Sequence, residues 1–381
     1  MTAFLRRSGS SSPSRERGLA PQKIARCRLA RGFRLLAALY AFFLGISLLT
    51  ASFEFLGEDF ARRLLSTTEN PFLGLFIGIL ATSILQSSST VTSMTVALVA
   101  GGGLDVDRAI PIIMGSNMGT SVTNVIVAAA HINRPQEFKR AFAAAVVDDF
   151  FEITSILILF PLQLTTNFLG IGAGFLSQGL AHLGGLAWTN PLRAILAPAV
   201  QLLADAVSQS GALLLAISLI LLVLALHFLV VDLRALVIGR LEAFVDKRLF
   251  KTAYRAMLLG FICTVFVQSS SVTTSLVVPL AGTAILKLRQ VFPFVLGANT
   301  GTTTTAMLAA LVSGQEVALT VAFAHLLYNI VGIVVIWPMR RIPMYLAEWL
   351  AEVSVRSRLV PLVYVGVVFF GIPITLILLA G

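Results

Sequence analysis

Two hydroxyl-rich strings, LQSSSTVTS at 85–93 and VQSSSVTTS at 267–275, interrupt otherwise apolar stretches of this chain. Their chemistry is that of an ion site. A Ser or Thr hydroxyl both donates and accepts, so a cluster of them can bond the oxygens of an oxyanion and offer lone pairs to a small hard cation. Gln86 and Gln268 each add a carbonyl acceptor and an NH2 donor. A helix broken at such a string presents uncapped N–H groups and a partial positive charge, which favours an anion. The competing reading treats Ser, Thr and Gly as small residues that let membrane helices pack closely.

Repetition favours the ion site. Shifted by 182 residues, Gly78–Thr123 aligns without a gap on Gly260–Thr305, with 17 of 46 positions identical. The matches include the whole Gln-Ser-Ser-Ser string, Pro111 with Pro293, and Gly115, Asn117, Gly119, Thr120 and Thr123 with Gly297, Asn299, Gly301, Thr302 and Thr305. Candidate anion ligands are therefore Gln86, Ser87, Ser88, Ser89, Gln268, Ser269, Ser270 and Ser271, with Asn117 and Asn299 in a second polar layer. Candidate cation ligands are Ser88, Thr92 and Thr120 in one copy and Ser270, Thr274 and Thr302 in the other. Segments 72–104, 109–130, 256–286 and 291–314 contain no Lys, Arg, Asp or Glu. An anion held there must be balanced by dipoles and by co-bound cations, because an uncompensated charge out of water is very unfavourable.

Acids stand in the next apolar segment, Ala141–Leu164, as Asp148, Asp149 and Glu152. Intramembrane carboxyls are costly and mark function by default. Asp149 and Glu152, at i and i+3, share a face and could contribute oxygens to one cation, whereas Asp148 points elsewhere. The alternative is a cytoplasmic helix end neutralised by Lys139 or Arg140. His325 and Asn329 occupy the corresponding segment of the second copy, opposite Ala144 and Asp148. A lone His in an apolar helix is more often packed than a ligand.

These residues need a membrane scaffold. With 57% hydrophobic and 12% charged residues and a mean hydropathy of +0.91, the chain lies in the membrane class. Its +10 net charge is not arranged as a basic face with interleaved aromatics, which excludes a nucleic-acid partner. Seven stretches are near full span length: 35–53, 109–130, 141–164, 211–239, 291–314, 318–339 and 359–381. The two Ser-rich regions, 72–104 and 256–286, are too long for one upright span. A helix over Phe72–Leu85 rises only about 21 Å, too little to cross alone. Each region reads as a hairpin that enters the membrane and returns, or else as one long helix kinked at serine. With hairpins and a cytoplasmic basic tail, 24 of the 28 Lys and Arg fall inside, and only Arg62, Arg63, Arg108 and Arg193 fall outside.

The expected fold is an all-α polytopic membrane protein of two inverted-topology repeats, each with a re-entrant hairpin carrying Gln-Ser-Ser-Ser. The organisation reads as a basic disordered cytoplasmic arm (1–34), a first transmembrane helix with an external amphipathic segment (35–70), repeat one (71–164), a linker with one transmembrane helix (165–255), repeat two (256–341), and an interfacial helix with a last span (342–381). Tyr345 and Trp349 suit an interfacial anchor. Paired interrupted helices in inverted repeats are the signature of a secondary transporter with its site at the repeat interface.

The doubled Gln-Ser-Ser-Ser, with GSNMGTSVTN, KRAFAAAVVDDFFE, LGANTGTTTTAMLAAL and AHLLYNIVGIVVIWP, resembles the type II sodium-phosphate cotransporters and their bacterial relatives. The resemblance covers roughly 72–164 and 256–339. It implies symport of inorganic phosphate with sodium ions, with no cofactor and no enzymatic activity. It gives the substrate and sodium region to both Gln-Ser-Ser-Ser strings. Asp149 matches the acid associated, in electrogenic members, with an additional sodium ion. Three sodium ions with divalent phosphate would carry one net positive charge per cycle. Glu152 stands where animal members have Asn, and His131 and Arg134 stand where they tend to carry Gln and Asp, which leaves sodium against proton open at that position. The large disulfide-bearing external loop of animal members has no counterpart in Thr165–Ser210, and the chain stops in an apolar span. A compact carrier of a prokaryotic inner (plasma) membrane, multi-pass with a cytoplasmic N-terminus, is expected, its partners being phosphate, sodium and the lipid bilayer and its candidate assembly a dimer. The alternatives are phosphate export, proton-coupled carriage of a related oxyanion, a channel, and a membrane phosphoester enzyme, which would want a nucleophile with a base or a metal cluster.

Overall fold

A computed structural model describes residues 32–52, 55–56, 70–182, 191–244 and 250–380. The basic arm to residue 31, with Cys27, and the amphipathic stretch 57–69 lie outside the described residues. Among the described residues the structure is helical, without strands. The helices are α1 (Gly32–Ser52), α2 (Pro71–Leu85), α3 (Ser88–Ala100), α4 (Val106–Ser116), α5 (Ser121–Ala129), α6 (Pro135–Thr166), α7 (Phe168–His182) and α8 (Pro191–Ala206). They continue as α9 (Gly211–Phe244), α10 (Ala253–Val267), α11 (Ser270–Gly282), α12 (Leu288–Ser313), α13 (Glu316–Ile336), α14 (Arg341–Arg356), α15 (Leu359–Val365) and α16 (Ile372–Ala380).

Among the described residues, five helical stretches are long and apolar enough to cross a membrane: Gly32–Ser52, Val106–Ala129, Gly211–Leu229, Glu316–Ile336 and Leu359–Leu379. The long helices α6 and α12 are not among them. Their acids, threonines and asparagine lower the hydropathy of segments the sequence reads as spans, so the same polar residues that make a site weaken its signal as a span.

Each Ser-rich region is two helices. Gln86 and Gln268 end α2 and α10 in the left-handed conformation, at φ 52 and 57. Ser87 and Ser269 then turn extended, at φ −153 and −152, and cap α3 and α11. One continuous kinked helix is thereby excluded. Within the segment 165–255, α7 and α8 precede the long helix α9. Despite its Gly-rich GIGAGF stretch, α7 is held against α13, with Ser177 Oγ 2.8 Å from Thr320 Oγ1.

Close helix pairs position the strings. A Cβ on Gly78 would lie 2.2 Å from the Ile112 carbonyl oxygen, and one on Gly260 would lie 1.9 Å from that of Phe294. The reciprocal approaches are Gly115 to Leu75 O at 2.0 Å and Gly297 to Met257 O at 1.8 Å. Thus α2 lies backbone to backbone on α4, and α10 likewise on α12, as small residues permit in membrane helix pairs. Every one of these contacts recurs at the 182-residue shift.

The ends of α6 fix where the strings' second arms finish. At its start, Arg140 Nε donates to Gly282 O, the last residue of α11, at 2.9 Å, and Lys139 pairs with Glu352 of α14. Just past its end, Asn167 Nδ2 donates to Asp107 Oδ1, in the first turn after the α3–α4 connection, at 2.9 Å. A helix of 32 residues is about 48 Å long. The α11–α12 turn and the equivalent α3–α4 turn therefore lie at opposite ends of α6.

Candidate functional site

The breaks at Gln86 and Gln268 are built alike. The amide N of Gln86 donates to Thr82 O at 2.7 Å and that of Gln268 to Thr264 O at 2.6 Å. The side-chain NH2 groups return to Ser83 O and Val265 O. The side-chain carbonyls accept from Thr123 Oγ1 at 3.0 Å and Thr305 Oγ1 at 2.8 Å. Each Gln thus ties the end of one arm to the polar stretch of the following helix. Thr123 and Thr305 were visible as matched positions in the repeat, but nothing in the sequence gave them this role.

Both Ser87 and Ser269 spend their lone pairs on capping. Ser87 Oγ accepts from Thr90 N at 3.2 Å and from Thr90 Oγ1 at 2.8 Å, and Ser269 Oγ accepts from Val272 N at 3.4 Å. A capping hydroxyl keeps its proton, so it can still donate to an anion. Ser88, Ser89, Ser270 and Ser271 are buried. The two strings meet where Ser89 Oγ approaches Gln268 O at 3.5 Å. On the arms beyond, Asn124 Nδ2 donates to Thr274 Oγ1 at 2.9 Å, while Thr92 Oγ1 turns to Ser89 O at 3.2 Å. Thr302 Oγ1 bonds Asn299 O at 2.6 Å, and Thr120 is buried at the end of the 3-10 turn that separates α4 from α5.

Asn117 and Asn299, expected in a second polar layer, are engaged with the flanking helices. Asn299 Nδ2 donates to Asp148 Oδ1 at 2.8 Å and to Glu152 Oε1 at 3.0 Å. Asn117 Nδ2 donates to Asn329 Oδ1 at 3.2 Å, its Oδ1 lies 3.0 Å from His325 Nε2, and its side chain also bonds Glu152. Asp148 and Asn329 are equivalents in the two copies, so each repeat's Asn reaches the other repeat's helix. His325 Nε2 carries the proton that Asn117 Oδ1 accepts, and its buried Nδ1 has no hydrogen-bond partner among the described residues.

The acids divide differently from the sequence reading. Asp148 does not point elsewhere. It shares Asn299 with Glu152 at i, i+4, and Glu152 Oε2 also accepts from Tyr328 OH at 2.9 Å. Asp149 turns away from that pair toward Tyr364, whose OH donates to its Oδ2 at 2.9 Å, with the Ser121 hydroxyl also against this carboxyl. Its Oδ1 is buried without a hydrogen-bond partner. Nor do Lys139 and Arg140 neutralise these groups, since one pairs with Glu352 and the other bonds Gly282 O. Among the described residues, Asp148, Asp149 and Glu152 are met by neutral donors only.

Such a layer favours an added positive charge. A carboxylate at mid-membrane costs at least about 2.5 to 3.5 kcal/mol, and a hydrogen bond to a charged group contributes about 1.5 to 3. Two phenols and shared amides offset burial but leave negative charge uncompensated, which attracts a cation or a proton. Among the described residues, no three His, Cys, Asp or Glu side chains converge as a transition-metal site. The arrangement suits a hard ion held by hydroxyl, amide and carboxyl oxygens.

Comparison with known proteins agrees with this geometry. The family described as Na+/Pi-cotransporter matches residues 41–185 and 221–375. The human sodium-dependent phosphate transport protein 2B is 30% identical over 446 residues, covering 91% of this chain and 65% of its own. The rabbit (Oryctolagus cuniculus) sodium-dependent phosphate transport protein 2A is 33% identical over 417 residues, covering 88% and 65%. This chain therefore spans about 65% of the length of those relatives. No solved structure matches it. With two family-matched segments that each contain one complete Gln-Ser-Ser-Ser break, the chain belongs to the Na+/Pi-cotransporter family.

Proposed function

We propose that this chain is a sodium-coupled symporter of inorganic phosphate that works by alternating access in a prokaryotic plasma membrane, its N-terminus cytoplasmic. The observation that carries the reading is the meeting of the two strings at Ser89 and Gln268, buried and without a basic side chain in either string. Donors for phosphate are the hydroxyls of Ser87, Ser88, Ser89, Ser269, Ser270 and Ser271, with Gln86 and Gln268 bracing the two breaks. Sodium ions supply the positive charge that Lys and Arg do not. Asp149, with its unpartnered oxygen, and the Asp148–Glu152 pair are the two places where a cation would gain carboxyl oxygens.

Inverted topology is supported by the two ends of α6, where Arg140 and Asn167 hold equivalent turns of the two copies about 40 Å apart along the helix. Opposed hairpins of this kind can open to either side in turn by rocking one repeat against the other. The test is uptake of radiolabelled phosphate into proteoliposomes, with sodium replaced in turn by lithium, by potassium, or by a pH gradient. Saturable uptake driven by an inward sodium gradient is expected. Accumulation that ignores sodium overturns the reading. A second reading, proton coupling, has its support in Glu152, a carboxyl bonded by Asn299 and Tyr328 that can carry a proton. Under that reading the pH gradient alone drives uptake.

Charge movement gives a further expectation. With three sodium ions and one divalent phosphate, uptake grows with an inside-negative potential imposed by potassium and valinomycin. Asp149→Asn is expected to remove that dependence while sodium-driven uptake persists. Equal potential dependence in both proteins would reject Asp149 as the site of the extra charge.

A further inference from the structure

The start of α6, the α11–α12 turn and α14 enclose a cavity of about 720 Å3 that the transport reading does not use. Lys139, Arg140 and Lys287 stand around it, facing Glu348 and Glu352. Lys139 is already paired with Glu352. Arg140 is fixed by its Nε bond to Gly282 O, which aims the rest of the guanidinium without using it. Ala143, Ala281, Ala284, Leu286 and Leu288 make the remaining wall apolar. Tyr345 and Trp349, at i and i+4 on α14, are 66% and 53% exposed at its mouth. A second cavity, of about 420 Å3, adjoins it through Tyr345 and Glu348 and brings Arg289, Arg340 and Arg341 to the other side of α14. Six cations thus stand around α14 against two acids.

We propose that this paired cavity is a binding site for an anionic phospholipid, with the phosphodiester at Arg140 and Lys287 and the acyl chains leaving along the Ala and Leu wall past Trp349. The volume accommodates a headgroup and glycerol rather than a whole lipid. The combination of surplus cations, an apolar wall and exposed interfacial aromatics matches the two halves of such a molecule and matches neither a free ion nor a soluble acidic peptide. Positive-inside sorting puts all six cations on the cytoplasmic side, where anionic headgroups accumulate. The chain's own N-terminal arm carries nine Lys and Arg against one acid and would be repelled. The occupied site would brace α14 against the start of α6, and hence against the helix that carries the acids.

The experiment is native mass spectrometry of the full chain released from detergent after equilibration with phosphatidylglycerol, phosphatidylethanolamine or phosphatidylcholine. Retained phosphatidylglycerol in preference to both zwitterionic lipids is expected. Arg140→Gln with Lys287→Gln leaves the Lys139–Glu352 pair intact and is expected to weaken that retention roughly thirtyfold, from about 1 kcal/mol per surface cation. Arg140→Lys with Lys287→Arg keeps the preference. If the double Gln variant fails to fold, Lys287→Gln alone is read in its place, with a loss of about fivefold. Equal retention of all three lipids overturns the proposal, as does a Gln variant that retains phosphatidylglycerol like the parent. Displacement of the lipid by millimolar glycerophosphate or inorganic phosphate also overturns it, in favour of a free-phosphate site. Because the readout is bound lipid, the result is independent of whether phosphate uptake is found.

Discussion

Gln268→Ala and Gln86→Ala are each expected to lower sodium-driven phosphate uptake about ten- to hundredfold while leaving folded protein in the membrane. Each Gln stands at a left-handed helix end and uses both ends of its amide, one on its own helix and one on Thr305 or Thr123 of the next. Truncation frees the tip to move and leaves a Thr hydroxyl, buried at Thr305 and part-buried at Thr123, with one partner fewer. The hydrogen bonds that the tip's neighbours make to a charged ligand are worth about 1.5 to 3 kcal/mol each, so losing the alignment of one corresponds to that range of affinity. Folding depends less on the pair, because the helices on either side are held by their own backbone contacts. The sharper part of the expectation is equality. The backbone, amide and carbonyl bonds of Gln86 recur at Gln268, so the two variants should be impaired to a similar degree, each measured as initial uptake rate per folded protein. A chain that transports normally without Gln268 refutes the site, and one that needs only Gln86 refutes a site shared between the copies.

The doubled string was legible because each copy repeats residue types at one spacing, and the structure turns that spacing into identical bonds at Gln86 and Gln268. What the sequence misassigned is the side-chain partnering around α6. Residues at i+3 and i+4 both lie within one helix face, so Asp148 and Asp149 are each near neighbours of Glu152, and periodicity alone does not choose between them. Asn299, some 150 positions away, makes the choice by donating to Asp148 and Glu152 together. Tyr328 and Tyr364 come from other helices and give no local signal. The asymmetry between the copies was visible as Asp148 opposite Asn329, and the structure gives it weight. Two crossed amide contacts hold the repeats together, one to a carboxyl and one to a neutral amide, so the negative charge of this layer belongs to α6 alone.

Gly260→Val should cost more folded protein than any polar substitution at the tips. The side chain would start from a Cβ 1.9 Å from the Phe294 carbonyl oxygen, while a carbon and an oxygen in ordinary close contact stand about 3.3 to 3.6 Å apart. Relief therefore requires α10 and α12 to part by about 1.5 Å along their shared face, and the obstacle is backbone, which no rotamer change can move. Overpacking of a well-filled core costs about 1 to 3 kcal/mol even when side chains can adjust, and here they cannot. Gly297→Val meets the reciprocal obstacle at Met257 O, 1.8 Å away, and Gly78→Val and Gly115→Val meet theirs on α4 and α2. All four should yield little monodisperse protein in mild detergent and a lowered unfolding temperature in what remains. Gly174→Ala on α7, where a Cβ would meet nothing within 4 Å, is the control expected to behave like the parent. Parting α10 from α12 would also draw Thr305 away from the Gln268 carbonyl, so the surviving fraction of Gly260→Val should transport poorly as well. A Gly260→Val protein as stable as the parent would mean that these helices do not touch through their backbones, and the tip that Gln268 braces would then have no fixed place to stand.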